Sequence, residues 1–257
     1  MCLLLFAYRA HPDYPLVIAA NRDEFHRRPA APAGWWEEGD ILAGRDLEAG
    51  GTWFGLNQRG RFAAVTNFRD PGNHLPGARS RGDVVVATLR TELNGSVWLR
   101  RLEAEGERYN GFNLLFGGAT EGIFSFSNRS RQPGELAPGI YGLSNHLLET
   151  PWPKVLRGKA KLQACLHSDQ LANPEPLLDL LGDREPAPDG ELPATGIGIE
   201  WERLLSSMFI VSADYGTRAS TAVLVDRSGQ IDFMERAFDP KGAPISERRF
   251  RFQPQIV

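Results

Sequence analysis

This chain is poor in cysteine, in one-signed charge and in long apolar runs, and each shortage removes a class of function. Cys2 and Cys165 are its only cysteines in 257 residues, too few for a disulfide framework or a zinc cluster, and five scattered histidines show no metal-ligand spacing. No metal and no resident cofactor are expected. Lys plus Arg number 29 against 32 Asp plus Glu, a formal net charge of -3. There is no global positive field to hold a polyanion, so nucleic acid is not an expected partner. The clusters His26-Arg27-Arg28 and Arg248-Arg249 read as solvated faces. No stretch approaches the roughly 18 to 20 apolar residues of a membrane-crossing helix. The apolar opening Met1 to Tyr8 lacks a basic leader and is cut short by Arg9 and His11, so it reads as a buried strand rather than a signal peptide. Cysteine this scarce fits a reducing compartment, and the cytoplasm is the expected location.

What is present is the composition of an ordinary globular protein, with 42% hydrophobic and 24% charged residues and no internal repeat. One domain over residues 1–257 is expected. Cys2 to Tyr8 and Pro15 to Asn21 are apolar runs separated by His11-Pro12-Asp13, the pattern of a hairpin buried on both faces. A loop is expected around Pro29, Pro32 and Gly34, then a second hairpin from Trp53 to Leu56 and Phe62 to Thr66, turning at Gly60. Ser80 caps a helix through Val84, Leu89 and Leu93, and a second helix runs from Ser96 to about Glu105.

Strands return at Phe112 to Phe116, Ile123 to Ser127 and Ile140 to Leu143, and a helix follows from Pro153 through Leu166. Residues Gly182 to Gly198, rich in Pro and Gly, read as a surface loop. Three late strands are expected at Ser207 to Ser212, Ser220 to Asp226 and Ile231 to Ala237, with turns at Tyr215-Gly216 and Ser228-Gly229. Hairpins flanking a helical middle define an α+β protein with two antiparallel sheets face to face and helices outside.

The chemistry begins at Cys2. Its small side chain permits removal of Met1, which leaves a thiol and an α-amine on one residue. The amine, with an unperturbed pKa of about 7.7 to 8.0, can serve as base for the thiolate nucleophile. A small buried hydrophobe is the plain alternative for a free cysteine. Asn21-Arg22-Asp23-Glu24 ends the strand paired with Cys2. There Asp23 is a candidate to orient the amine, Arg22 to supply positive potential and Asn21 to donate a hydrogen bond; a structural Arg22–Asp23 ion pair is the rival. Asn67 and Asn145 each end an expected strand and are candidate oxyanion donors, a task worth about 3 kcal/mol per donor; they are equally ordinary turn residues. Trp53 can line an apolar cleft, and His146 can act as a base or a ligand-binding group, though packing explains both.

Several of these segments resemble one family. The Met-Cys start, Ala19-Ala20-Asn21-Arg22-Asp23-Glu24-Phe25, Gly44-Arg45-Asp46, Gly50-Gly51-Thr52-Trp53-Phe54-Gly55, Val65-Thr66-Asn67-Phe68-Arg69 and Gly142-Leu143-Ser144-Asn145 look like the NRDE proteins, the transport and Golgi organisation protein 2 family. The likeness covers nearly the whole chain. A more distant one runs to the choloylglycine hydrolases and penicillin V acylases, and it implies an N-terminal-nucleophile-hydrolase-like four-layer αββα sandwich.

On that likeness Cys2 matches the nucleophile, Asp23 the strand aspartate, Asn67 and Asn145 the oxyanion-hole positions and Arg218 a late arginine near the nucleophile. The family's other arginine falls at Ala20. The implied activity is Cys-dependent hydrolysis or acyl transfer on a small amide or thioester. The alternative on the same fold is a carrier that binds and traffics haem, a lipid or acyl-CoA, with haem as ligand rather than cofactor.

Overall fold

The opening runs form the expected hairpin because every residue from Leu3 to Tyr8 and from Leu16 to Ala20 is buried, so unbroken apolar sequence on both strand faces is satisfied. In the computed structural model, which describes residues 2–130, 134–168 and 171–255, β1 (Cys2–Tyr8) and β2 (Leu16–Phe25) pair antiparallel with Cys2 opposite Arg22 and Leu4 opposite Ala20. β2 continues past Asn21. Its polar end is held extended by β11 (Tyr215–Val225), which pairs along its other edge from Phe25↔Tyr215 to Leu16↔Val225, with a bulge between Thr217 and Ala219.

The first sheet runs β10 (Gly139–Leu143), β1, β2, β11, β12 (Ile231–Phe238), β13 (Pro244–Phe252), with every pairing antiparallel. The second runs in chain order through β3 (Ala30–Trp35), β4 (Ile41–Asp46), β5 (Phe54–Asn57), β6 (Phe62–Asn67), β7 (Phe112–Gly118), β8 (Gly122–Ser127) and β9 (Gly134–Glu135). Strand alternation sends neighbouring side chains to opposite faces and so builds three apolar layers. Leu4, Phe6, Ile18 and Phe233 meet Leu42, Phe54, Phe62 and Leu115 between the sheets. Leu3, Leu5, Ala19 and Leu224 meet Val155 and Leu162 of α3 (Pro153–Leu166) and Leu177 of α4 (Glu175–Leu181). Ile41, Ala63 and Leu114 meet Val85 and Leu89 of α1 (Arg81–Arg90) and Trp98 and Leu102 of α2 (Gly95–Glu105). The layer order is αββα, as expected. A short helix, α5 (Ile199–Leu204), follows the loop from Gly182. Among the described residues no helix is long and apolar enough to cross a membrane.

Three expectations are corrected. The region around Pro29 and Pro32 is not a loop but β3, an edge strand whose register breaks between Ala31 and Gly34, where proline costs no ladder bond. Ser207 to Ser212 is not a strand. Its Ile210 N–H donates to Thr217 Oγ1 at 2.9 Å, and its carbonyl accepts from the Thr217 N–H, so the segment folds back as a loop touching the sheet through one bridge, Val211↔Gly216. Tyr215-Gly216, expected as a turn, instead begins β11. Arg248-Arg249 are exposed, as read for a solvated face; they lie in β13, where Arg249 and Arg251 both grip Asp232 of β12 at 2.8 Å. That charged ladder blunts the exposed edge of the sheet.

Glu235 of β12 is buried, and its carboxyl accepts the Ala33 N–H of β3 at 2.7 Å, stitching the ends of the two sheets. Burial pushes this carboxyl from the usual 4.5 up to about 7. The native state therefore holds its proton through a pH range in which the unfolded chain has lost it, and stability falls as pH rises across that window. Glu235→Gln keeps an acceptor for Ala33 and removes the titration. It is expected to flatten the stability profile between those two pH values and to raise stability at pH 8 by up to about 3 kcal/mol, read from urea midpoints at pH 5 and pH 8. An unchanged slope contradicts it.

Candidate functional site

The polar end of the β1–β2 hairpin opens into a cavity of about 300 Å³ that lies between β2, the β4–β5 connection, the end of β6 and the start of α1. Cys2, Arg22, Asp23, Trp53 and Asn67 all line it. Cys2 is half-buried; burial pushes its thiol up, opposed by the Arg22 charge and the Asp23 backbone N–H. Met1, whose removal an amine at Cys2 requires, lies outside the described residues.

Arg22 is buried on the inter-sheet side. Its guanidinium stacks 4.1 Å from the Trp53 ring centroid and lies 3.6 Å from Asp46, rather than pairing with Asp23. Trp53 reaches that position because Gly44 has no side chain: a Cβ there would sit 2.5 Å from Cη2 of the indole. Asp23 is fully buried and fixed from β11, with Thr217 Oγ1 donating to Oδ1 at 2.7 Å and Tyr215 Oη donating to its backbone carbonyl at 3.0 Å. Burial pushes its carboxyl up and Lys154 pulls it down.

The remaining candidates stand back from the cavity. Asn21 is buried, its amide donating to the carbonyls of Met208 and Leu181 and its oxygen accepting from Ser220. It braces β2 against the helical side. Asn145 is also buried; its Nδ2 donates to the Asn67 carbonyl at 3.0 Å, and its own carbonyl accepts the Arg69 N–H at 2.7 Å. It thereby holds the strand end that carries Asn67. Arg218 donates to three carbonyls, those of Phe25, His26 and Arg28, each at 3.1 Å, and so fixes the turn after β2. His146 shares a hydrogen bond with Thr150 at 2.9 Å and packs against Phe68 and Trp152. Burial lowers its pKa.

Sequence reasoning missed Lys154, in the first turn of α3. It is buried and couples electrostatically to Asp23, Arg69 and Cys2; burial lowers its ammonium to about 8. A lysine after proline at a helix start carries no signal of its own. Also missed were Arg79 and Arg81, which line the cavity from the start of α1, and the buried Arg69–Glu202 ion pair at 2.6 Å. Among the described residues no group of three or more His, Cys, Asp or Glu is arranged to hold a metal ion.

The fold and the cavity together define an α+β protein of two packed antiparallel sheets, with a cysteine at the head of an inner strand opening on a polar, arginine-lined cleft. The profile of the Transport and Golgi organisation 2 family matches residues 1–240, and the chain belongs to that family. It is 38% identical to the Bos taurus transport and Golgi organization protein 2 homolog over 98% of this chain and 100% of that one. The Homo sapiens homolog is 36% identical over 97% of each chain, and the Drosophila melanogaster protein 30% identical over 94% of this chain and 95% of that one. Solved structures with some likeness include a Caenorhabditis elegans N-acylethanolamine-hydrolyzing acid amidase ortholog, with TM-score 0.44 and 9% identity over 87% of this chain and 92% of that one. A mutant conjugated bile acid hydrolase from Clostridium perfringens has TM-score 0.47 and 8% identity over 100% of this chain and 98% of that one.

Proposed function

We propose that this protein is a Cys2-dependent N-terminal-nucleophile hydrolase or acyltransferase acting on a small amide or thioester. The observation that carries the reading is that Cys2, Asp23 and Asn67 line one cavity although they come from three different strands. Loss of Met1 frees the Cys2 amine, which Asp23 orients and which takes the thiol proton. Sγ then bonds to the substrate carbonyl carbon, the oxyanion is met by the Asn67 amide, and the C–N or C–S bond breaks as the proton passes to the leaving amine or thiol. Water attack on the Cys2 thioester releases the acid and restores the thiol; an acceptor amine or alcohol in its place gives acyl transfer. Asn145 and Arg218 act by position, through the strand and turn they hold.

The cavity's polar lining favours a small polar substrate over the alternative, a carrier for haem, lipid or acyl-CoA. His146, the residue best suited to ligate a haem iron, is bonded to Thr150 outside the cavity. The test combines the intact mass of the purified protein with incubation against small N-acyl amides and thioesters. The expected result is a chain lacking Met1, an acyl adduct on the amino-terminal peptide, and a turnover rate about 1000-fold lower in Cys2→Ala. Retained Met1, or equal turnover in Cys2→Ala, would overturn the proposal.

A further inference from the structure

Three arginines at this cavity have no task in the chemistry just described. Four arginines line it, Arg22, Arg28, Arg79 and Arg81, against the carboxylates of Asp23, Glu24 and Asp46. Arg28 is spoken for, with Nε 2.7 Å from Asp46 and Nη1 3.4 Å from Glu48. Asp46 also accepts the backbone N–H groups of Glu48 and Ala49, so its single charge is divided before it reaches Arg22. Asp23 is turned to Thr217 and couples to Lys154, and Glu24 accepts the Phe25 N–H. Arg81 Nη1 donates to the Gly111 carbonyl at 3.3 Å and feels the Glu24 charge, and Arg79 lies 5.5 Å from the Tyr109 ring centroid, but neither forms a salt bridge with any described residue.

The decisive atom is Arg22 Nη1. Its side chain is 4% exposed, yet this nitrogen is buried with no hydrogen-bond partner. Asp46 and Trp53 meet the group's charge, but a buried N–H left without an acceptor is costly, and an acceptor entering from the cavity would recover that cost.

The first turn of α1 lies at the same wall. Ser80 caps it, its Oγ accepting the Gly82 N–H at 3.3 Å, and Arg81 and Gly82 open on the cavity. The turn is held there by a backbone contact that only glycine permits, since a Cβ on Gly51 would lie 2.7 Å from the Gly82 carbonyl carbon. A ten-residue helix presents the positive end of its dipole to that wall.

We infer that Arg22, Arg79, Arg81 and the first turn of α1 form an oxyanion-binding subsite, which takes a carboxylate or phosphate on the same molecule whose acyl carbonyl is presented to Cys2. The substrate is thus an anionic acyl compound, bound by its charge at the helix end and cleaved at the strand end. This rests on the proposed role of Cys2, but the test below does not require turnover. Guanidinium pairs recognise carboxylate and phosphate alike through two parallel hydrogen bonds, and the arginine arrangement serves both.

The experiment alkylates the protein with iodoacetate and with iodoacetamide, and reads the rates at Cys2 and Cys165 separately by peptide mass spectrometry. Cys165, in α3 and away from these arginines, is the internal reference. The expected iodoacetate-to-iodoacetamide rate ratio is higher at Cys2 than at Cys165 and falls about tenfold at Cys2 alone in Arg79→Gln/Arg81→Gln. In the wild-type chain, inorganic phosphate or acetate slows iodoacetamide at Cys2 more than chloride does at equal ionic strength. Stronger protection by phosphate assigns a phosphate-bearing substrate, and equal or stronger protection by acetate a carboxylate-bearing one. A ratio at Cys2 no higher than at Cys165, with neither anion protecting, overturns the subsite. Anion steering without any turnover would leave the subsite standing and sink the hydrolase reading instead.

Discussion

Arg69→Met is expected to destabilise the protein by about 3 to 5 kcal/mol, the range seen when one partner of a buried ion pair is removed. Arg69 follows β6 and joins Glu202 of α5 at 2.6 Å, with both side chains 4% exposed. The same Glu202 accepts the backbone N–H and hydroxyl of Thr195 through its other oxygen, at 2.9 and 2.6 Å, and the Arg69 guanidinium lies 4.6 Å from the Trp152 ring centroid at the start of α3. One pair thus ties the end of the second sheet to the loop and helix that cover the first. Methionine leaves Glu202 charged and buried. Replacing both partners, Arg69→Met with Glu202→Leu, is expected to recover much of the loss, because two apolar groups leave no buried charge behind. Urea denaturation of the two variants checks both statements. A loss below about 1 kcal/mol in Arg69→Met contradicts the account.

The second large effect belongs to Asp23. Asp23→Asn preserves a shape that Thr217 can still donate to, but it removes the charge to which the proposed mechanism gives the task of orienting the Cys2 amine. Turnover is expected to fall about 100-fold, as for loss of a general acid–base partner. The intrinsic reactivity of Cys2 is expected to move the other way. The Asp23 carboxylate opposes thiolate formation while its backbone N–H favours it, and the substitution deletes only the former. Alkylation by iodoacetamide at Cys2 is thus as fast as in wild type, or faster, at any one pH. A merely structural Asp23 would lower both rates together. Parallel losses in turnover and alkylation therefore exclude the positioning role.

Much of the architecture was legible because burial on both faces leaves a strong trace. Cys2 to Tyr8 is apolar without interruption and Phe112 to Phe116 is broken only by Asn113, and a chain segment of that kind near glycine and proline has few homes other than an inner strand. β3 was not legible, since Pro29, Pro32 and Gly34 are ordinary loop residues and only an edge position with a broken register reconciles them with a sheet. β11 was misplaced at its start because Tyr215-Gly216 has turn composition, whereas the bonds of Thr217 to Ile210 fix that stretch from outside the strand.

In the site, Cys2, Asp23, Asn67 and Trp53 line one cavity, all from positions beside sheet ends. Asn21, Asn145 and Arg218 brace the strands and turn around the cavity from behind, and His146 packs away from it; residue type alone does not say which side of a strand or turn a polar group will face. Lys154, Arg79 and Arg81 gave no sign, because a basic residue at a helix start looks the same whether it meets solvent or a cleft.

The strand carrying Asn21, Arg22, Asp23 and Glu24 assigns alternate letters to two compartments: Asn21 is fastened toward the helices, and Arg22 lies against Trp53 between the sheets. The four-residue motif is therefore a parity device. A single residue inserted ahead of it would keep every side chain and exchange their sides, setting Arg22 in the slot beside Thr217 and Lys154 and aiming Asn21 at Trp53. The length of β2 counted from its turn at residue 15 is then as strict a requirement as the motif's spelling, and a chain that keeps the letters with the count shifted by one loses the placement of Arg22 against Trp53.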